Sequence, residues 1–359
     1  MKIAMIAPVL TATPPRATGP QEQIISLLTE ALVARGHDVT LYATGDSRTS
    51  ARLEYVRAQG FDTLLADQPS HGDILYNHAL MQHTFWAMTE AARRGVDVVH
   101  SHRPLALLCQ RALDRPHVNT MHHGSSQGNL AARTMHDSYF RFFDQFPGVE
   151  LVAISQSQRE AYASQPRIRV IHHAVDYRQF AVGAAAGRDY LLSIGRLIPA
   201  KGVHTAIEVA LAADRRLKIA GALDELRADL AYFKHWIEPH LDGDRIQYVG
   251  EATAESRVEL YAGAAALLNP IQWDEPFGLT MLEAMACGTP VIALRRGAAP
   301  EIVDEGVTGH LCDDIAAMIE RARAPGPFDP AAVRKHAEAR FSVDLMTNRY
   351  EDAYRAAGT

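Results

Sequence analysis

Residues 190–202 read YLLSIGRLIPAKG. An unbroken apolar run, Tyr190–Ile194, meets a glycine, two spaced basic residues and a second glycine, and an apolar helical pattern opens at about Val203. Unbroken rather than alternating apolarity marks a strand buried on both faces, and a strand that passes through a short loop into a helix is half of a βαβ unit. The same pattern recurs on either side. Ahead of it lie Ile3–Ala7, Val39–Ala43, Val96–His100, Val118–His122, Leu151–Ile154 and Ile168–Ile171; after it come Leu217–Ala220, Ile246–Val249, Ala266–Asn269 and Val291–Leu294. Helical patterns separate these runs. The first opens at Gly19-Pro20, carries Ile24, Leu28, Ala31 and Leu32 on one face and closes at Arg35-Gly36.

Phe180–Asp189, rich in alanine and glycine, breaks the series and reads as a flexible linker. A chain of 359 residues has the length of two domains at about 150 each. The fold class expected is therefore α/β: two Rossmann-like, doubly wound domains facing a cleft. The first spans 1–179, joined by a C-terminal helix at 342–359 that returns to it, and the second spans 188–341. Ligands of such sheets bind beyond the carboxyl ends of the strands, so the residues that follow each run carry the functional interest.

Composition narrows the classes. Hydrophobic residues make up 47% and charged residues 22%, which excludes a disordered chain, a collagen and a small disulfide scaffold. Residues 1–178 hold 17 basic and 16 acidic residues (+1) and the remainder 19 and 26 (−7), which sum to the net charge of −6. With no basic run or arm, nucleic acid is not an expected partner, and +1 supports at most weak peripheral membrane association, with Arg48, Arg52 and Arg57 as the small patch available. Three unclustered cysteines, Cys109, Cys287 and Cys312, suggest free thiols in a reducing compartment, and the expected location is the cytoplasm.

Two loops carry chemistry. In Gly195–Gly202, Arg196 offers a forked donor and Lys201, one of only five lysines, a compact charge; together they suit a diphosphate, or they are two solvated loop charges. The loop lacks both the Walker order, in which lysine follows glycine, and the GxGxxG of dinucleotide sites. The second stretch, 274–291, reads DEPFGLTMLEAMACGTPV. Leu279–Cys287 is helical by pattern with Gly288 as its stop, so Glu275 lies in the preceding loop and Glu283 more than one turn into the helix. The amides of Phe277, Gly278 and Leu279 sit at the positive helix end, where they suit phosphate, while carboxylates suit sugar hydroxyls. A surface Glu283 and a first-turn Glu275 are the plainer alternatives.

Taken together, Glu275, seven residues and Glu283 resemble the EX7E pattern of retaining GT-B glycosyltransferases, and EPFGLTMLEAMACGTPVIA resembles family 4 of that class. GRLIPAKG is similar to the family's GRLxxxKG loop, TMHHG at Thr120–Gly124 to its TxHG stretch, and VIHHAVD at Val170–Asp176 to its domain-joining segment. RGHDVTLYATGDSRTSARL resembles the start of a family 4 subgroup. The likeness covers nearly the whole chain and is weakest over 45–95 and 313–359. It implies that Arg196 and Lys201 hold the donor diphosphate, with Gly19 and the amides of Phe277, Gly278 and Leu279 nearby. It also implies that Glu283 binds the ribose, Glu275 the transferred sugar, and that His122 sits at the reaction centre. His123 and His173 are the further cleft candidates. Pro20, Ala200 and Ala174 depart from the family's Gly, Glu and Gly.

The implied activity is transfer of a sugar from a nucleotide-diphosphate sugar, UDP favoured and GDP an option, to a hydroxyl of a soluble small-molecule or saccharide acceptor. The implied enzyme uses no cofactor and no metal. A nucleotide-sugar epimerase of the same fold and a non-catalytic nucleotide-sugar-binding partner are the alternatives. The 17 histidines include adjacent pairs (His100/His102, His122/His123, His172/His173) that raise the question of a metal site.

Overall fold

Two all-parallel sheets organise the computed structural model, which describes residues 1–16, 19–62, 72–107, 109, 115–122, 148–162, 168–184, 186–223 and 229–358. The chain divides into two compact units. One holds the N-terminal part up to Ala174 together with the segment from Val343; the other runs Val175–Ser342.

In the first unit the strands are β1 Lys2–Ile6, β2 Asp38–Tyr42, β3 Arg52–Glu54, β4 Val98–Ser101, β5 His117–Met121, β6 Val149–Ala153 and β7 Ile168–Val170. They lie in the order β3-β2-β1-β4-β5-β6-β7. The strand order reverses direction between β1 and β4, which is the topological switch point. The helices are α1 Pro20–Ala34, α2 Gly72–Arg93 and the short α3 Gln156–Glu160. Pro20 occupies the first turn of α1, where its missing N–H costs nothing, and Ile24, Ile25, Leu28 and Leu32 are buried. Ala87, Met88 and Ala91 of α2 complete an apolar layer with Ala4, Ile6, Tyr42 and Val99.

In the second unit the strands are β8 Tyr190–Ile194, β9 Arg216–Ala220, β10 Ile246–Tyr248, β11 Ala264–Asn269, β12 Val291–Leu294 and β13 Gly309–Cys312, in the order β10-β9-β8-β11-β12-β13. Its helices are α4 Val203–Ala212, α5 Asp229–Trp236, α6 Ala254–Gly263, α7 Leu279–Ala286, α8 Ala299–Ile302, α9 Ile315–Arg323 and α10 Pro330–Phe341. The last helix, α11 Val343–Ala357, belongs to the first unit. Met346, Thr347, Tyr350, Ala353 and Tyr354 form its buried stripe at helical spacing.

The Ala/Gly stretch departs from its reading as a flexible linker. Arg188 Nη1 donates to the Gly288 carbonyl and Thr289 Oγ1, both at 2.9 Å, and the Gly183 amide donates to the Cys287 carbonyl at 3.1 Å. A Cβ on Gly183 would meet the Ala262 carbonyl oxygen at 2.0 Å, so glycine there serves a close approach, not freedom. The division between units accordingly falls at Ala174–Val175, ahead of this stretch.

Candidate active site

In the second unit both sequence motifs emerge at the switch point, one after β8 and the other after β11. Gly202, in the left-handed region at φ 68°, caps α4, and a Cβ on it would come within 2.3 Å of the Pro270 carbonyl oxygen. That approach closes the two loops on each other. Gln272 Nε2 donates to Thr205 Oγ1 at 2.9 Å across the same seam. Lys201 Nζ then reaches Glu275 Oε2 at 2.7 Å and lies 6.0 Å from the centre of the Trp273 ring. Arg196 is exposed on the same loop.

Glu275 is held from behind by the loop after β12. Its carbonyl accepts from the Ala298 amide at 3.0 Å, and Arg296 Nη1 donates to the Gln272 carbonyl. Gly297, at φ 52°, leaves no room: a Cβ there would lie 2.5 Å from both the amide nitrogen and the carbonyl oxygen of Glu275. Gly278, at φ 103°, turns the chain into α7. The amides of the first turn have no partner within the helix, so Gly278 and Leu279 open an anion-favouring end. The Phe277 side chain is buried against Phe341, ring centres 6.2 Å apart.

Glu283 projects inward from α7. Tyr261 donates to its Oε2 at 2.9 Å, and Arg257 Nη1 lies 3.6 Å from Oε1. Burial raises its pKa, with Arg257 and the Tyr261 hydroxyl acting against the rise.

In the first unit four imidazoles form a row. Ring centres are 4.2 Å apart for His100 and His102, 5.2 Å for His102 and His122, and 5.2 Å for His122 and His173, the last pair stacked. His100 Nδ1 meets Tyr354 Oη and Nε2 meets Thr120 Oγ1, both at 2.8 Å. His102 Nε2 lies 3.1 Å from Met5 Sδ, and Nδ1 lies 2.9 Å from His122 Nε2. A thioether only accepts, so the proton of His102 belongs on Nε2. Its Nδ1 is then the acceptor, and His122 donates through Nε2. Burial lowers the pKa of His100 and His102 well below the ordinary value and that of His173 to about 3, so these rings are neutral. Both nitrogens of His100 and of His102 are thus engaged, with hydroxyls, a thioether and His122. Among the described residues no group of three or more His, Cys, Asp or Glu is placed to hold a metal.

Beside this row, Gln21 Nε2 donates to the His102 carbonyl at 2.8 Å, and a Cβ on Gly19 would meet Pro15 Cβ at 2.6 Å. Glu22 in the first turn of α1 is buried. Burial pushes its pKa up to about 6, opposed by its own amide and by Arg103. His123 lies outside the described residues. Among the described residues no helix is long and apolar enough to cross a membrane, and Arg52 of the basic patch is tied to Glu54 at 2.8 Å.

The family profile described as Glycosyltransferase Family 4 matches residues 21–179, and that described as Glycosyl transferases group 1 matches 177–322. An uncharacterized glycosyltransferase of Methanocaldococcus jannaschii is 24% identical over 99% of this chain and 98% of its own. A glycogen synthase of Mycobacterium tuberculosis is 27% identical over 91% of this chain and 86% of its own. Among solved structures, HepE of Anabaena in complex with UDP and glucose superposes with a TM-score of 0.73 over 99% of this chain and 100% of its own, at 18% identity. The chain belongs to the family 4 glycosyltransferases.

Within the second unit of this transferase the structure brings Lys201, Glu275 and the start of α7 to one strand edge. Sequence reasoning missed the residues behind them: Gly297 and Ala298, which fix Glu275, and Tyr261 and Arg257, which fix Glu283. It also gave His102 no role beyond the question of a metal site, although the residue lies one position past the end of β4. Two of the family departures are accommodated quietly. Pro20 sits where a helix tolerates proline, and Ala174 is fully buried.

Proposed function

We propose that this glycosyltransferase uses a nucleotide-diphosphate sugar, with UDP the favoured nucleotide, and transfers the sugar with retention and without a metal to a hydroxyl of a soluble acceptor. The observation that carries the donor reading is the meeting of Lys201 and Glu275, 74 positions apart, at 2.7 Å beyond the switch point of one sheet. A cation for phosphate and a carboxylate for hydroxyls stand side by side where such sheets take their ligands. The likeness to HepE, solved with UDP and glucose, supports the same reading.

Arg196 and Lys201 take the diphosphate, joined by the amides of Phe277, Gly278 and Leu279. Glu275 accepts from the sugar hydroxyls and Glu283 from the ribose, while Gly19 and His122 keep the roles that the resemblance implies. As the glycosidic bond to phosphate breaks, negative charge grows on the departing nucleotide, and preorganised donors at that oxygen lower the barrier. The departing phosphate oxygen takes the acceptor's proton on the same face, which gives retention without a protein nucleophile.

A thermal-shift screen against UDP, GDP, ADP and their sugars tests the donor class, because a ligand of the native state raises its melting point. Lys201→Ala is expected to lower transfer by roughly 10²–10³, the scale of losing one preorganised donor. Near wild-type turnover in that variant would remove the diphosphate role.

A further inference from the structure

The Lys201–Glu275 pair occupies the residues assigned to the donor with each other's charge. Both side chains are largely shielded, 23% and 17% exposed, so solvent screens the pair less than it would a surface pair. The backbone that carries this carboxylate has little freedom to withdraw. Its amide donates to the Trp273 carbonyl at 2.9 Å, its carbonyl is bound by Ala298, and Gly297 packs against both backbone atoms. Whatever anion recruits Lys201 therefore arrives beside a carboxylate whose backbone is pinned.

We infer that Glu275 makes this site discriminate between the intact sugar nucleotide and the bare nucleoside diphosphate that remains after transfer, disfavouring the latter. The inference rests on the reading that Lys201 holds the donor diphosphate. With the intact donor, Lys201 turns to phosphate and the sugar hydroxyls donate to the released carboxylate, so both members of the pair exchange one partner for another. A bare diphosphate also draws Lys201 away, but it brings no hydroxyl donors to Glu275. Its terminal phosphate carries additional negative charge where the sugar was attached. The carboxylate is left without a partner, facing a like charge, in a site that solvent reaches poorly. Glu275 thus helps bind what is to be transferred and helps expel what is left.

The test is calorimetric titration of the full chain with UDP, GDP and ADP, using the wild type, Glu275→Gln and Lys201→Met. Glu275→Gln keeps the shape and removes the charge. It is expected to bind the diphosphate about tenfold more tightly, a change of about 1.4 kcal/mol, while transfer falls. Lys201→Met is expected to bind it more weakly. If Glu275→Gln binds the diphosphate as the wild type does, or more weakly, while Lys201→Met loses affinity, the discrimination is overturned and the diphosphate assignment stands. If Lys201→Met binds as the wild type does, or no diphosphate binds any of the three proteins, the assignment fails and the inference with it. Unfolding midpoints verify that each variant is folded. Glu275→Ser replaces Glu275→Gln should the latter not fold, with the same tightening expected.

Discussion

His102 shows how much a single buried ring can determine. With its Nε2 proton directed at Met5 Sδ, its Nδ1 is left to accept from His122 Nε2. Replacing it with leucine removes that acceptor from His122 Nε2. The expected result for His102→Leu is a loss of about tenfold in kcat, the scale of one hydrogen bond, with the donor KM little changed. His102→Asn, whose side-chain oxygen falls near the lost Nδ1, is expected to recover part of it. A changed KM with unaltered kcat would assign His102 to packing alone. At this scale the sequence was informative where a residue's role follows from its place in a motif. The placement of Lys201 and Glu275 was legible because both lie in loops that follow buried strands, and that of Glu283 because it falls inside the helix that Gly288 ends. Gly297 was not, because its role depends on Glu275, a neighbour 22 positions earlier that only the fold brings near. Tyr261 and Arg257 were hidden for the same reason.

Among the described residues, eleven of the thirteen strands are visible as apolar runs, and the two that are not, β3 and β13, each form the edge of a sheet. Arg52-Leu53-Glu54 is exposed to half-buried along its length and shows no such run, whereas Gly309–Cys312 is mostly buried but opens on a glycine and a histidine. The Ala/Gly stretch at 183–187 misled for a related reason, since small residues mark either freedom or close packing, and composition does not distinguish them. Helix α11 was readable as an element from its aromatic spacing. Its docking rests on hydroxyls that sequence cannot pair: Tyr354 with His100, and Tyr350 with Thr120 at 3.0 Å. Tyr354→Phe keeps the ring and removes the hydroxyl, leaving a buried imidazole nitrogen without its partner. It is expected to cost roughly 1–3 kcal/mol, read as a lower denaturant midpoint with an unchanged slope. No change in midpoint would mean that the bond adds nothing to docking.

Across the whole molecule the histidines make stability depend on acid. Burial holds His83 at about 4, His117 and His173 at about 3, and His100 and His102 well below the ordinary 6.5. All five belong to the first unit. Between pH 6.5 and about 4 the unfolded chain binds protons that the folded unit refuses. Their contribution is therefore fully present above 6.5 and is lost as the pH falls. Pepsin at pH 4 is expected to cut first within the first unit, and initial cleavage confined to Val175–Ser342 would contradict this. The division of the chain has a further consequence for synthesis. The N-terminal part of the first unit is made before the second unit, yet the first unit lacks α11 until all of Val175–Ser342 has been translated. Through that interval the surfaces meant for Tyr350 and Tyr354 stay uncovered on a nascent chain. The later unit can finish folding before the earlier one, so a chaperone that shields apolar surface during translation has its main task at the first unit and not at the second.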